Sequence, residues 1–490
     1  MAIKPKYIRE LYPYTKEQLK SIFDISDEKT VSLIKKLKEY NVLKQQPRGS
    51  SSGDLSELAS DEVFDVVEDD ATTCFVFTFV GVLCVNGVIL MCYPKYISSS
   101  EPRNELNQVI KVIRKYNSKE EIIRMYNGDD EKSSFNLLAV MLYLMNDYYE
   151  NGLYNNYMQI VEDNGIGEIL WNKTINETFA IIQNNRPYYT TLKTHKTVVN
   201  DFDFFKRLHA AVLAQVSKEL KNSALLDIFE FDDECVYLSD ELLDDLGDVD
   251  YLLYRIEQEL NVQFNTHKQI ILKTIYAYLS SGKALEDVDS FSLFGTNSFH
   301  AVWETVCAEV FDNKLQTKLN KLLLPSAGLS EYYKQYANKK LLDIIENPKW
   351  LAYINEDKFN KSDEFEVDTY IPDIVSIVED KFFIFDAKYY MIKLNEKGVS
   401  KQPPLESITK QYVYQMVYKR FIEEHGFTTV RNCFLFPTEK DKVITSGLVK
   451  IDIFKNLLDL EDIEVRLLPA SKMYELYLSC RKMPVSNLNL

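Results

Sequence analysis

The period of the hydrophobic positions changes several times along this chain, and these changes predict a mixed α/β (α+β) fold. The segment SSFNLLAVMLYLMNDYYENGLY (133–154) is apolar over several helical turns, which predicts a buried helix. Residues 73–97 and 371–386 instead form short runs rich in Val, Ile and Phe, which predict strands. Asn86-Gly87 predicts a tight hairpin turn within the first of these runs.

Residues 7–44 show a short helical pattern, a turn, a longer helical pattern and the start of a strand. Ser26 is the expected N-cap of the second helix. Apolar side chains at helical spacing form one face of that helix: Val31, Leu33, Ile34 and Leu37. Its lysines lie at positions 29, 35, 36 and 38. This order of elements is typical of a winged helix-turn-helix, a module that binds DNA in some proteins and protein partners in others.

Changes in composition divide the chain into five predicted segments. They are a winged helix-turn-helix (1–48), an acidic Ser/Gly-rich linker (49–72), a β plus helical module (73–225), an acidic helical connector (226–290) and a C-terminal α/β domain (291–490). No glycine-rich phosphate loop is evident, and GIGEIL (165–170) is weak evidence for a nucleotide site. We therefore expect no ATP or GTP site in this chain.

The net charge of −17 is concentrated in two acidic runs. Residues 49–70 hold eight acids and no base, and residues 227–259 hold thirteen acids and one base, so the remainder carries +3. DNA binding is therefore not excluded. The runs are either solvated surface or an electrostatic face for a basic partner protein. Scattered cysteines, the absence of a long apolar run and the lack of a signal-like N-terminus predict a cytoplasmic protein with no membrane contact.

The stretch IPDIVSIVEDKFFIFDAKYY (371–390) combines an apolar hairpin with charged residues that are costly to bury. If Glu379-Asp380 form a two-residue turn, Val378 lies opposite Lys381, and counting back places Asp373 opposite Asp386. Lys388, two residues farther along, shares their face. A register shifted by one residue would instead separate Asp373 from the other two.

Two close carboxylates cannot both remain ionised cheaply unless a cation joins them. Mg²⁺, a hard cation with oxygen ligands and retained waters, resolves this conflict and supports phosphodiester hydrolysis. Lys388 would orient or help deprotonate the attacking water and stabilise the pentavalent phosphate. The spacing of Asp373, Asp386 and Lys388 is that of a PD-(D/E)xK nuclease. The alternative is a surface ion pair between Asp386 and Lys388, with Asp373 at a strand end.

The flanking segments fit this interpretation. The predicted helix SFHAVWETVCAEVFDN (298–313) carries Glu304, which is either a further metal ligand or a solvated residue, and Glu309 is the weaker candidate. The predicted helix ITKQYVYQMVYKRF (408–421) carries polar residues that brace the site, contact the DNA backbone or only pack: Gln411, Tyr414, Gln415 and Tyr418. The lysine-rich segment 315–340 is a candidate surface for the DNA backbone or a solvated basic face. No histidine spacing suggests a catalytic triad or a zinc site.

Several further motifs resemble the LlaJI-type restriction endonucleases, which are related to the McrC subunit of McrBC-type systems. They are NDYYENGLY (146–154), ILWNKTIN (169–176), RLHAAV (207–212), FHAVWE (299–304), PDIV with FFIFDAKYY (372–390) and YQMVY (414–418). The resemblance covers about residues 73 to 470. It implies a separately encoded McrB-like AAA+ GTPase partner, with GTP bound there, and metal-binding or catalytic roles for Asp373, Asp386, Lys388 and Glu304. It also implies that the strands around residues 80–97 dock on the GTPase ring.

The sequence thus predicts a Mg²⁺-dependent endonuclease subunit of a restriction-modification system, which cuts foreign double-stranded DNA in antiviral defence. One alternative is a winged-helix DNA-binding or adaptor protein that uses the nuclease fold as a scaffold. Another is an autonomous PD-(D/E)xK repair or transposition nuclease that needs no GTPase.

Overall fold

The computed structural model describes residues 5–47, 73–85, 88–117, 136–199, 203–282, 285, 291–354, 357–367 and 369–490. The α-helices in these ranges are α1 (Lys16–Phe23), α2 (Asp27–Glu39), α3 (Arg103–Asn117), α4 (Leu137–Asn151), α5 (Trp171–Glu177), α6 (Phe204–Asn222), α7 (Leu243–Leu246), α8 (Val249–Val262), α9 (Thr266–Ser281), α10 (Phe299–Val310), α11 (Glu331–Lys334), α12 (Leu405–Glu424), α13 (Asp452–Leu458) and α14 (Ala470–Leu478). Short 3₁₀ turns occupy Asp233–Tyr237, Leu319–Lys321, Leu341–Ile344 and Val485–Leu488.

The strands alternate with these helices along the chain. They are β1 (Lys6–Arg9), β2 (Leu43–Pro47), β3 (Thr73–Phe77), β4 (Val80–Val85), β5 (Val88–Tyr93), β6 (Tyr157–Asp163), β7 (Ala180–Gln183), β8 (Arg186–Tyr189), β9 (Lys193–Val199), β10 (Phe291–Thr296), β11 (Lys349–Trp350), β12 (Tyr353–Ile354), β13 (Asp357–Lys361), β14 (Phe365–Glu366), β15 (Ile374–Val378), β16 (Lys381–Ala387), β17 (Lys393–Asn395), β18 (Gly398–Ser400), β19 (Thr429–Thr438), β20 (Ile444–Val449) and β21 (Ile463–Pro469). The predicted mixed α/β fold class is confirmed.

Two larger sheets and several two-stranded ribbons organise the strands. One sheet has the order β1-β5-β4-β10, and the other has the order β15-β16-β19-β21-β20. In the second sheet, β16, β19 and β21 run parallel to one another, whereas β15 and β20 are antiparallel edge strands. The ribbons are β2-β3, β6-β9, β7-β8, β11-β14, β12-β13 and β17-β18.

The chain divides into two compact units. The first comprises Met1–Pro5, Cys84–Ile89 and Ser133–Phe294, and the second comprises Lys6–Leu83, Leu90–Lys132 and Gly295–Leu490. The predicted module 73–225 is therefore shared between the units, and the N-terminal helices belong to the same unit as most of residues 291–490. The five sequence-based segment boundaries stay predictions.

The N-terminal elements follow the predicted order of helix, turn, helix and strand. Thr15 caps α1 with a reciprocal capping box, and Ser26 occupies the N-cap position of α2 without a side-chain cap bond. Leu33, Ile34 and Leu37 are buried as expected, but the prediction for Val31 is wrong, because its side chain is 49% exposed. Thr30 is buried in its place. The strand β2 pairs antiparallel with β3, and the winged-helix assignment stays a prediction.

The strands predicted in residues 73–97 are present as β3, β4 and β5, and the predicted Asn86-Gly87 turn lies outside the described residues. All described residues of β4 and β5 are buried. The expectation that the strands around residues 80–97 dock on a partner stays a prediction. The predicted buried helix within 133–154 is α4, and residues 226–290 contain the helices α7, α8 and α9.

Both faces of β16 are covered by helices, as expected for a central strand with parallel neighbours. Phe382 and Ile384 pack with Tyr414 and Tyr418 of α12 in one apolar cluster. On the other face, Phe385 contacts Phe311 at the end of α10, with ring centroids 5.4 Å apart. This packing fixes the end of β16, where the charged residues lie.

Candidate functional site

The hairpin formed by β15 and β16 has the register predicted from the sequence. Val378 pairs with Lys381, and Ile374 pairs with Phe385. Glu379 in the turn adopts a left-handed backbone conformation, with φ of 55°. Because the pairing proceeds without a bulge, Asp373, one residue before β15, comes to the position opposite Asp386.

Asp373, Asp386 and Lys388 converge at the end of this hairpin. The Nζ atom of Lys388 lies 2.9 Å from Oδ1 of Asp386, whose side chain is buried. The Oδ2 atom of Asp373 accepts a hydrogen bond of 2.8 Å from the backbone N–H of Ala387. The backbone of β16 thus holds the Asp373 carboxyl next to the two side chains that the same strand supplies.

The helix α10 brings Glu304 to the same place. Burial raises the pKa of Glu304 to about 7, while Lys388 opposes this shift and Asp386 adds to it. Glu309 of the same helix is exposed and lies 3.5 Å from Lys115. Of the two glutamates considered from the sequence, Glu304 is therefore the one near the hairpin charges. We call Glu304, Asp373, Asp386 and Lys388 the carboxylate cluster.

Burial and mutual proximity shift the pKa values of the groups in the carboxylate cluster. Burial raises the pKa of Asp373 well above its ordinary value, and the charge of Asp386, a hydrogen bond with Asp386 and the charge of Glu304 raise it further. Burial alone would lower the pKa of Lys388, but Asp386, Asp373 and Glu304 outweigh it and raise that pKa. Lys388 therefore remains a cation, and one cation does not balance three carboxyl groups.

Two residues that the sequence did not single out hold this arrangement in place. The Nδ2 group of Asn313 donates to the carbonyl of Asp373 (2.9 Å), and its Oδ1 accepts from the N–H of Val375 (3.1 Å). Trp303 donates from Nε1 to the carbonyl of Leu435 (3.2 Å), and the N–H of Lys388 donates to the same carbonyl (2.9 Å). Asn313 is the last residue of the predicted helix 298–313 and lies three residues after the end of α10, a position that only long-range packing reveals as important.

The polar residues of α12 brace the sheet. Gln411 donates from Nε2 to the carbonyl of Ile384 (3.0 Å), and Oε1 of Gln415 accepts from Nδ2 of Asn432 (2.7 Å). Both glutamines are buried, which favours bracing over direct contact with DNA.

The two tyrosines of α12 are also hydrogen-bonded. The hydroxyl of Tyr414 donates to the carbonyl of Ile371 (3.0 Å), and that of Tyr418 donates to the carbonyl of Leu341 (3.3 Å). Burial raises the pKa of Tyr414, with Asp386 and Asp373 adding to the effect, so Tyr414 lies within electrostatic reach of the cluster.

The basic segment 315–340 combines buried and exposed positions. Leu315, Leu319 and Tyr333 pack into the apolar cluster beneath α12. Its lysines are exposed: Lys318, Lys321, Lys334, Lys339 and Lys340. The segment is therefore anchored by its apolar residues, and its role in binding the DNA backbone stays a prediction.

A cleft of about 780 Å³ opens beside the carboxylate cluster. Its lining includes Glu304 and Lys388, together with the exposed His300 of α10. All of its lining residues belong to the second unit. The cleft gives a ligand access to the side chains at the end of β16.

The donor set of the carboxylate cluster fits a hard divalent cation. Within the described ranges, no group of three or more Asp, Glu, His or Cys side chains is already positioned to hold a metal. Mg²⁺ does not require such a cage, because proteins usually bind it through one or two carboxylates while it keeps several waters. Asp373 and Asp386, with Glu304 alongside, supply such oxygens, and burial together with the neighbouring carboxylate of Asp386 raises the pKa values of Asp373 and Glu304.

The family model for the LlaJI restriction endonuclease matches residues 79–468, which include every member of the carboxylate cluster. The chain belongs to the LlaJI restriction endonuclease family. The resemblance inferred from the sequence is thus confirmed.

No helix among the described residues of this LlaJI-family chain is long and apolar enough to cross a membrane.

A curated relative and two solved structures are similar to the LlaJI-family chain. The relative is the type II restriction enzyme BsuMI component YdjA of Bacillus subtilis (strain 168), which is 25% identical over 439 residues, covering 86% of this chain and 85% of that protein. One structure is a half-complex of Thermococcus gammatolerans McrB AAA+ hexamers with bound McrC (13% identity, TM-score 0.33, 97% and 99% of the two chains). The other is the McrBC complex of the same organism (15% identity, TM-score 0.27, 61% and 85%).

Proposed function

We propose that this LlaJI-family chain is the Mg²⁺-dependent DNA endonuclease subunit of a restriction-modification system and that residues 291–490 form a PD-(D/E)xK nuclease domain. The observation that carries the proposal is the convergence of Asp373, Asp386, Glu304 and Lys388 beside an open cleft. Membership in a restriction endonuclease family supports phosphodiester hydrolysis as the reaction.

The residues of the cluster have separate roles in this proposal. Asp373 and Asp386, with Glu304, would hold Mg²⁺, which when bound would polarise the phosphodiester and activate water as the nucleophile. Lys388, kept protonated by its carboxylate neighbours, stabilises the negative charge that grows on the phosphate. The hydrogen bonds from Ala387 and Asn313 keep Asp373 in place during this step.

We further propose that the chain works with a McrB-like AAA+ GTPase encoded separately. The name of the Bacillus subtilis relative describes it as a component of a restriction enzyme, which supports a multi-subunit assembly. In the first unit, the arm formed by β6, α5, β7, β8 and β9 exposes large apolar side chains. They include Ile166, Trp171, Ile175, Phe179, Ile181, Ile182 and Tyr188. Exposed apolar side chains of this size mark protein-binding surfaces, so we assign GTPase docking to this arm rather than to β4 and β5.

The test is a cleavage assay on duplex DNA with Mg²⁺ or with EDTA, in the presence and absence of the GTPase and GTP. We expect cleavage only with Mg²⁺ and strong stimulation by the GTPase with GTP. Asp386→Ala should abolish cleavage because it removes the buried carboxylate that pairs with Lys388. Asp441→Ala, an exposed aspartate of the same unit, is the matched control and should cut normally.

Separate outcomes address the separate parts of the proposal. Normal cutting by the Asp386→Ala protein would refute the assigned site, and full activity without the GTPase would refute the need for a partner. Phe179→Ser and Ile182→Ser should leave Mg²⁺-dependent chemistry unchanged but weaken binding of the GTPase. Pull-down of the purified GTPase by the wild-type and variant chains measures that binding.

A further inference from the structure

Part of the wall of the cleft comes from the N-terminal part of the chain. Asn41 follows α2, Lys44 lies on β2, and Thr78 follows β3, and all three line the same cleft as Glu304 and Lys388. The hydroxyl of Thr78 donates a hydrogen bond to the carbonyl of Asn41 (3.0 Å), which connects the end of β3 to the residues after α2. The β2-β3 ribbon is thus part of the wall of the candidate active site.

Lys44 of β2 is half-buried and lines the cleft. Its neighbour Leu43 is buried, and successive side chains of a strand point to opposite faces. In the ribbon, Lys44 pairs with Val76 while Leu43 pairs with Phe77. Lys44 thus lies on the face of β2 opposite Leu43, where it is half-buried and lines the cleft.

Two further lysines line the cleft. Lys95 follows β5, and its Nζ atom lies 4.4 Å from the ring centre of Tyr389, the residue directly after Lys388. Lys410 lies on α12, where it forms an ion pair of 2.5 Å with Glu406. The ammonium group of Lys410 also lies 4.8 Å from the ring centre of Tyr370. Both lysines are thus held near the end of β16 by aromatic rings or carboxylates.

The lining of the cleft is therefore rich in positive charge, although the whole chain carries a net charge of −17. Four lysines (Lys44, Lys95, Lys388 and Lys410) line it together with two glutamates (Glu304 and Glu406). Lysine is a flexible point charge that suits phosphate groups without reading base edges. Several lysines that line one cleft with Lys388 fit the repeated phosphates of a nucleic-acid backbone.

We propose that Lys44, Lys95 and Lys410 bind the phosphodiester backbone of duplex DNA next to the phosphate that is cut. The β2-β3 ribbon then holds the substrate strand over the carboxylate cluster. This inference rests on the proposed nuclease function and identifies the residues that bind its substrate. It assigns the N-terminal contact with DNA to Lys44, rather than to the exposed lysines of α2 such as Lys35.

The experiment measures binding of a fluorescent DNA duplex to the full-length chain in EDTA, where the proposed cleavage cannot occur. Fluorescence anisotropy is recorded over a series of salt concentrations. We expect Lys44→Ala and Lys410→Ala each to weaken binding about 3- to 10-fold, and to lower the slope of log affinity against log salt by about 1, as the loss of one phosphate contact predicts. The loss should be similar for duplexes of different sequence.

Lys381→Ala is the matched control, because Lys381 is an exposed lysine at the opposite end of β16. It should keep the wild-type affinity and salt slope. Thermal unfolding of each variant shows whether the fold is retained, and Lys410→Gln replaces Lys410→Ala if the alanine variant unfolds early. An unchanged salt slope in both the Lys44 and Lys410 variants, an equal loss in Lys381→Ala, or no binding of DNA by the wild-type chain would overturn the inference.

This outcome is separable from the test of the nuclease function. Cleavage that is lost in Asp386→Ala but unchanged in Lys44→Ala and Lys410→Ala, together with an unchanged salt slope, rejects the cleft contacts and keeps the nuclease. Lysine-dependent binding without Mg²⁺-dependent cutting under any condition rejects the nuclease and leaves a DNA-binding cleft.

Discussion

Each of the two units contains a cluster of titratable side chains that is at least partly buried, and the clusters differ in how their charges are balanced. In the second unit, the carboxylate cluster places three carboxyl groups around one lysine. In the first unit, a histidine cluster consists of Asp147, His209 and His267. There the Nε2 atom of His267 lies 2.6 Å from Oδ1 of Asp147, and Nδ1 of His209 accepts a hydrogen bond of 3.0 Å from the N–H of Tyr154.

Burial favours the uncharged form in both clusters, but it shifts the pKa values of the carboxyl groups and of the imidazole in opposite directions. In the carboxylate cluster, burial and like charges raise the pKa of Asp373 and Glu304, so the folded state favours their protonated forms. In the histidine cluster, burial, followed by the charge of His267, lowers the pKa of His209 to about 4, so the folded state keeps a neutral imidazole. The proposed cation site in the carboxylate cluster would offset this crowding of carboxyl groups, whereas we assign no catalytic role to the histidine cluster.

The largest expected effect is on cleavage by the Asp373→Asn variant. Asparagine keeps an oxygen that can accept the N–H of Ala387, so the fold should be retained while the charge is lost. We expect cleavage to fall on the order of 1000-fold, as for loss of a group that stabilises transition-state charge. A cleavage assay with Mg²⁺, GTP and the GTPase measures it, with the exposed Asp441→Asn as the control. A fall of less than tenfold would show that Asp373 is not part of the reaction centre.

The Glu304→Gln variant should separate stability from activity. Because the pKa of Glu304 is raised to about 7 in the folded chain, its protonated form stabilises the fold below about pH 4.5, and this stabilisation is lost as the pH rises through 7. Glutamine cannot ionise, so the variant does not lose stability as the pH rises. Its free energy of unfolding without metal should therefore exceed that of the wild type by up to about 3 kcal/mol at pH 8. Urea unfolding at pH 5 and pH 8 measures it, and cleavage should fall in the same variant.

Glu309→Gln is the control for this comparison, because Glu309 lies on the same helix but is exposed beside Lys115. It should leave both stability and cleavage close to wild type. A gain in stability at pH 8 equal to that of Glu304→Gln would show that the effect comes from the helix rather than from the carboxylate cluster.

The histidine cluster should show the opposite dependence on pH. The pKa of His209 is about 4 in the folded chain, so its stabilising contribution is present above about pH 6.5 and is lost as the pH falls toward 4. At pH 5 the free energy of unfolding should be lower by about 2 kcal/mol because of this effect. Hydrogen exchange of peptides from α6, compared at pH 7.5 and pH 5 after correction for the intrinsic rate, measures it.

His209→Asn is the matched variant, because the asparagine oxygen can accept the N–H of Tyr154 in place of Nδ1. This variant should be less stable than wild type at pH 7.5. Between pH 7.5 and pH 5, however, it should lose much less stability than the wild type does. An unchanged pH dependence in this variant would exclude His209 as its source. Cleavage should not depend on His209, apart from the effect of stability.

The parts that could be predicted from the sequence depend on local geometry. Alternation along two strands and a two-residue turn fixed the register of Asp373 and Asp386, although Glu379-Asp380 is not a typical turn pair. Glu304 was found because it lies on a recognisable helix next to the hairpin. Local patterns were less reliable for Val31, which has helical spacing but is 49% exposed.

The parts that could not be predicted depend on packing between distant segments. Asn313 acts through the backbone of residues about sixty positions away, and Lys44 reaches the cleft only because β2 and β16 are brought together. Burial of β4 and β5 likewise depends on long-range packing around the sheet β1-β5-β4-β10, in which they are the central strands, so their apolar sequence could not distinguish a core from a docking face. Lys410 could have been predicted from the sequence as a residue near the site, because it lies one helical turn from Tyr414 on α12.

The smallest expected effect tests how far the carboxylate cluster extends along α12. Tyr414→Phe removes the hydrogen bond to the carbonyl of Ile371, two residues before Asp373, and Tyr418→Phe removes the bond to the carbonyl of Leu341. Each should cost about 1 kcal/mol of stability. Only Tyr414→Phe should also slow cleavage, by about fivefold if about 1 kcal/mol of positioning is lost. Equal cleavage rates in the two variants would show that only the hairpin and α10 contribute to the reaction centre. The helix α12 would then only support the sheet.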